Sequence, residues 1–167
     1  MNNMFKNINT LISVEMVSDN LSKITSMISS FENCINLEYF NISGFDISHI
    51  KSLSKLFYNT SLTIANIDNF NTNNIEDMPY MSSFSKLENI NITKLITKNV
   101  KNMSHMFYKC NQISSLDLSS METNQVKNMS YLFAGCESLT NLDLSNFHTN
   151  LVEDMSFMFK IVFHYKI

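Results

Sequence analysis

Four histidines, three cysteines and a sparse column of carboxylates are the natural candidates for chemistry in this 167-residue chain. His49, His105, His148 and His164 occupy unrelated sequence contexts, and no CxxC or His/Cys spacing suggests zinc. Cys34, Cys110 and Cys136 are odd in number and far apart, which is no disulfide framework. They share one slot of an internal repeat, and Thr60 and Ser85 stand at or near that slot elsewhere. Exchange of Cys, Thr and Ser points to a small buried position, so the thiols read as packing groups rather than nucleophiles. Asp117 and Asp143 could offer oxygens to calcium, but hard cations need clustered ligands and no loop spacing supplies them. No Ser/His/Asp set or carboxylate pair recurs near one place. The expectation is a protein that is not an enzyme, with no metal and no cofactor.

The bulk composition narrows the partners. Net charge is -3, and every basic residue is a lysine. No basic block is present, so nucleic acid is not an expected partner. No apolar run is long enough for a membrane-spanning helix. The start "MNNMFKNINTLISVEMVSDN" lacks a charged segment followed by a long apolar one, so it does not read as a signal peptide.

What positions the candidate residues is a repeat. "KCNQISSLDLSSMETNQVKNMSYLF", from Lys109, returns 26 residues later as "GCESLTNLDLSNFHTNLVEDMSFMF". Leu144, Leu118, Ile92, Ile67, Ile42 and Met16 form one column, with steps of 26, 26, 25, 25 and 26 residues. Phe147, Met121, Leu95, Phe70 and Phe45 form another, which fails at Asp19. Met155, Met129, Met103, Met78, Leu53, Met27 and Met1 are a third. Phe159, Phe133, Phe107, Phe57, Phe31 and Phe5 are a fourth; Ser82 interrupts it, and Phe84 is the expected substitute. Within a unit, Leu142 and Leu144 have strand spacing, whereas Val152, Met155, Met158 and Phe159 lie at offsets 0, 3, 6 and 7, which suits one side of a short helix. A single unit of 26 residues buries too little to fold alone, because ordering it costs on the order of 40 kcal/mol. Stacked neighbours supply the missing burial. The expected fold is therefore an α/β repeat of about six units of 25–26 residues, forming one domain over 1–167 with a weak first repeat (1–23) and a truncated last one (146–167).

"VKNMSYLFAGCESLTNLDLSNFHTNLVEDMSFMF" resembles the repeats of BspA-like leucine-rich-repeat surface proteins, in the branch shared with mycoplasma lipoproteins. Residues 100–159 match closely and 24–99 with drift. The resemblance implies a leucine-rich-repeat solenoid with parallel strands on the concave face and short helices on the convex face. It also implies a cell-surface binding or adhesion role, although this chain shows no signal peptide or lipoprotein cysteine. In such a repeat the residues between the strand leucines face the concave side. These are Glu15, Asn41, Asn66, Asn91, Asp117 and Asp143, flanked by residues such as Tyr39, Ile64 and Asp68. The expected ligand face comprises Tyr39, Asn41, Ile64, Asn66, Asn91, Asp117 and Asp143, with Tyr39 and Ile64 as exposed apolar anchors. The expected partner is a protein or glycan, bound without catalysis. The alternative is a degenerate or truncated piece of a larger surface protein with a structural role. The strand around Leu142 to Ser145 is expected to be an open edge unless the tail folds over it, and the chain could self-associate through that edge.

Overall fold

The computed structural model describes residues 2–17, 24–67 and 70–162. Met1, Asp19, Asp68 and His164 lie outside the described residues, as does the side chain of Asn66. Four strands follow the chain: β1 (Ser13–Val17), β2 (Tyr39–Ser43), β3 (Ile64–Asn66) and β4 (Asn89–Asn91). β1 pairs with β2 and β3 with β4, both in parallel. The register follows the repeat: Val14 meets Phe40, Met16 meets Ile42, and Ala65 meets Ile90. In the next two units the strand column shrinks to one bridge, Ser115 to Asn141. A second column of parallel bridges runs Ser52, Asp77, Asn102, Asn128, Asp154.

The expected helices are absent among the described residues. Short strands in two two-stranded sheets, joined by turns, replace the α/β leucine-rich-repeat solenoid that the sequence suggested. The segments read as helical are runs of turns. In residues 53–60, Leu56 N–H donates to Leu53 O and Tyr58 N–H to Lys55 O, both within the unit. The alternate donors leave it: Leu53 to Asp77 O at 2.9 Å, Lys55 to Pro79 O at 3.1 Å, Phe57 to Met81 O at 2.8 Å and Asn59 to Ser83 O at 2.8 Å. The same pattern joins residues 103–110 to 128–134 and 129–135 to 154–160. A helix would spend those N–H groups internally. It would also need 8–10 Å to its neighbour, while strands sit about 4.8 Å apart. Turn runs let both sides of each unit share the strand spacing.

This geometry requires a left-handed residue at two slots per unit. Lys55 and Asn59, Tyr80 and Phe84, His105 and Lys109, Tyr131 and Gly135 all have φ between +54° and +77°. For residues with a Cβ this conformation costs roughly 1–2 kcal/mol each, and the hydrogen bonds to the next unit offset it. Pro79 fits because its slot has no ladder role for an N–H: in other units that N–H caps locally, as Ser104 N–H does to Asn102 Oδ1 at 2.9 Å.

The columns form one core. Met27, Leu53, Met78, Met103 and Met129 are fully buried, as are Phe31, Phe57, Phe107 and Phe133. Phe84 does not replace Ser82 inside; it turns outward and is 37% exposed, leaving the Ser82 hydroxyl buried without a partner. The three cysteines are free and buried, and the Cys110 and Cys136 thiols donate to the carbonyls of Ser82 and Phe107, each at 3.0 Å. Burial pushes the Cys110 thiol up to about 12 and raises Cys136 further still, so neither is a thiolate at neutral pH.

Buried threonines tie successive units. Thr97 Oγ1 donates to Glu122 O at 2.8 Å and accepts from Glu122 N–H at 2.7 Å, and Thr123 holds His148 in the same way. Thr97→Val would leave the N–H and the carbonyl of Glu122 without their side-chain partner. The expected loss is about 1–3 kcal/mol, read as a lower urea midpoint with unchanged slope.

Candidate functional site

The outward positions of the strands build the first candidate surface. Alternation sends Phe40 and Ala65 into the core and leaves Tyr39 50% and Ile64 65% exposed. The two line one open depression of about 520 Å³ with Glu38, Phe40, Asn41 and Thr63. Val17, on β1 opposite Ser43, is exposed as well. Thus Tyr39, Asn41 and Ile64 are brought together. Asn66 pairs with Asn91 through the backbone of β3 and β4. Asn91, Asp117 and Asp143 belong to later units and do not line the depression.

The polar members of this column have local duties. Asn91 Oδ1 accepts from Thr93 N–H and Oγ1. Asp117 accepts from Ser119 Oγ at 2.6 Å and Ser119 N–H at 3.0 Å; Asp143 accepts from Ser145 N–H at 2.9 Å. These bonds hold both carboxyls below the usual range. They cap the turn after the strand, the common work of Asp and Asn at such positions. Among the described residues, no three His, Cys, Asp or Glu side chains gather as a metal site.

Two further surfaces escaped the sequence reading. The first is a polar groove of about 410 Å³ lined by Ser48, His49, Lys51, Asn74, Glu76, Asn99, Lys101 and Gln125. The Glu76 carboxylate bridges Lys101 Nζ at 2.6 Å and Lys51 Nζ at 2.8 Å. Those two contacts pull its pKa down to about 2. The signal was in the spacing, since Lys51, Glu76, Lys101, Lys127 and Glu153 share one slot. Lys127 and Glu153 pair at 2.9 Å.

The second is a row of aromatic rings along the turns. Tyr80 stacks on His105 at 4.3 Å, His105 on Tyr131 at 4.6 Å, and Tyr131 meets Phe157 at 4.9 Å. Tyr58, Phe84 and Tyr108 join them edge to face, and Lys55, Lys109 and Lys160 lie over ring faces. Read as an isolated histidine, His105 showed no recurrence. Read as an aromatic, it fills the slot of Tyr80, Tyr131 and Phe157.

His105 Nδ1 is buried without a partner. Burial lowers its pKa from 6.5, against a weaker opposing pull from Asp154. The unfolded chain therefore binds this proton more readily than the folded one. The contribution to stability is complete above pH 6.5 and is lost as pH falls through the lowered folded value. The melting temperature should decline on acidification from pH 6.5 before the carboxylates titrate. In His105→Tyr that decline should shrink, with the row intact. An identical pH profile in the two proteins would contradict it.

The chain belongs to DUF285, a family of mycoplasma proteins of unknown function, which matches residues 1–114 and 82–166. This is the mycoplasma repeat family related to the BspA-like proteins. Comparison with curated proteins and with solved structures gave no match.

Proposed function

We propose that this chain is a non-catalytic binding protein that engages a protein or glycan partner through the strand face around Tyr39 and Ile64. The observation that carries this reading is the pairing of two half-exposed to largely exposed apolar side chains, 50% and 65%, at one depression of the strand face. An aromatic and a β-branched anchor at the same depression are what a partner with an apolar group buries most profitably. Asn41, Thr63 and Glu38 around them supply hydrogen-bonding groups at the rim. Relation to BspA-like surface proteins supports an adhesive setting for that contact.

The test is surface plasmon resonance of the full chain over an immobilised panel of extracellular-matrix proteins and glycans. Tyr39→Ala with Ile64→Ser should weaken any captured partner at least about tenfold, the effect of losing roughly 1.4 kcal/mol. Its melting temperature should stay close to that of the parent, because both side chains face outward. Asn91→Ala, on the same face but outside the depression, should bind as the parent does. A double variant that binds normally removes the depression from the contact; a parent that captures nothing on the panel rejects the binding reading.

A further inference from the structure

The polar groove is positive in a chain that is negative as a whole. Its lining holds two ammonium groups, Lys51 and Lys101, against one carboxylate, Glu76, while the chain carries a net charge of -3. Lys51 Nζ meets Glu76 Oε1 at 2.8 Å, and Lys101 Nζ meets Oε2 at 2.6 Å. Among the described residues Glu76 is the carboxylate partner of both. The next member of the column is Lys127, whose backbone N–H donates to Lys101 O at 2.8 Å, so two lysines stand side by side in adjacent units. Like charges in facing positions repel, and Glu153, at 2.9 Å from Lys127, neutralises one of them. One positive charge is left over at Lys51 and Lys101. Each ammonium has three N–H donors and spends one on Glu76. An anion seated across from Glu76 closes an alternating ring of two cations and two anions.

The rest of the lining selects the anion. His49, Asn74, Asn99 and Gln125 occupy one slot of successive units, just before the column of charges. Asn74 Nδ2 donates to Ser48 O at 2.6 Å, and Asn99 Nδ2 donates to Asn73 O at 2.8 Å. Those bonds fix each amide and leave its oxygen as an acceptor. No apolar side chain lines the groove, so a ligand that buries hydrocarbon gains little here. A bare inorganic anion engages the lysines and leaves the amide row unused. A ligand with a carboxylate for the lysines and hydroxyls for the amides uses both. The row crosses three strand spacings, about 14 Å, and a linear chain of sugar rings advances by a similar step per ring. The volume of about 410 Å³ falls in the range of small-molecule sites.

We propose that this groove binds an acidic oligosaccharide along the repeat axis, with a uronate carboxylate between Lys51 and Lys101 and ring hydroxyls donating to Oδ1 of Asn74 and Asn99. The site is separate from the Tyr39–Ile64 depression, since no residue lines both, and it does not depend on the reading given to that depression.

Isothermal titration of trigalacturonate into the full 167-residue chain tests this. Binding should be measurable at low ionic strength and weaken as salt rises. The trimethyl ester, which keeps the hydroxyls and loses the charge, should bind at least about tenfold more weakly; so should acetate, which keeps the charge and lacks the hydroxyls. Lys51→Gln and Lys101→Gln should each weaken trigalacturonate at least about tenfold. Their side chains are 75% and 55% exposed, so the fold is kept, and circular dichroism verifies it. Should one variant fail to fold, the other must still show the loss. The double variant Tyr39→Ala, Ile64→Ser should bind trigalacturonate as the parent does. No binding by the parent, or equal binding of the ester, overturns the proposal. Equal binding of acetate reduces the groove to a simple anion site and overturns it as well. Normal binding by either folded lysine variant, or lost binding in the Tyr39–Ile64 variant, places the sugar elsewhere and does the same.

Discussion

Leu118→Asp eliminates the cooperative melting transition. Leu118 is 3% exposed and lies in the inward column with Ile92, itself 1% exposed. A carboxylate there has no cation in its column to pair with, and an unpaired buried charge is among the few single changes worth more than about 4 kcal/mol. Protonation spares the charge but leaves a polar acid among apolar side chains, which still costs a few kcal/mol. A domain of this size has a total stability of roughly 5–15 kcal/mol, so the variant should show no sigmoidal transition in urea and a weakened far-ultraviolet signal. The neighbouring Asp117→Ala is the control. Asp117 faces solvent and loses only its bonds to Ser119, so a shift of about 1 kcal/mol or less is expected. Two adjacent residues with opposite outcomes test the alternation directly; equal effects would mean that the inward and outward assignments are wrong.

The columns of Met, Phe, Leu and Ile were legible because burial recurs wherever the unit recurs, and each repetition is an independent sample of the same environment. The outward strand positions were legible for the same reason: Asn91, Asp117 and Asp143 sit between inward neighbours, Tyr39 and Ile64 each precede one, and all five are exposed. The helices were misread for a definite physical cause. Inward residues at 0, 3, 6 and 7 fit a helix, and they fit a run of three-residue turns equally well. Turns usually announce themselves through glycine or asparagine at left-handed positions. Asn7, Asn33, Asn59 and Gly135 do mark one of the two left-handed slots, but the other holds Lys55, Tyr80, His105 and Tyr131, and Phe84 and Lys109 break the pattern at the first. At those residues the repeated hydrogen bonds between units impose the left-handed conformation, and no local residue choice records it. The aromatic row went unread because Tyr, His and Phe count as different chemistry in a search for sites, although they are equivalent in stacking. Asn66 and the Lys51–Glu76–Lys101 bridge show the same asymmetry: a slot is visible in sequence, but its partner is known only when neighbouring units are placed side by side.

Phe107→Ala should cost about 3–5 kcal/mol, the range for deleting a buried ring that neighbours cannot refill. Phe107 is fully buried and stacks on Phe133 at 5.9 Å with the rings 3° from parallel. In the preceding unit its column holds Ser82, so no ring on that side can shift into the space. Backbone relaxation is limited too, because Phe107 N–H is fixed to Leu132 O at 3.0 Å and its carbonyl receives the Cys136 thiol. The cavity should therefore persist, and the cost should lie at the upper end of the range. Phe84→Ala removes the same side chain from the outer row, where the ring is 37% exposed and touches Tyr58 and Tyr108 edge to face. Edge-to-face pairs contribute about 0.5–1.5 kcal/mol beyond burial, so the loss should stay near 1–2 kcal/mol. Urea unfolding of both variants separates the two aromatic columns. If Phe84→Ala proved the costlier, the outer row rather than the buried one would hold the units together, and the Ser82 gap would then mark where the inner column contributes least.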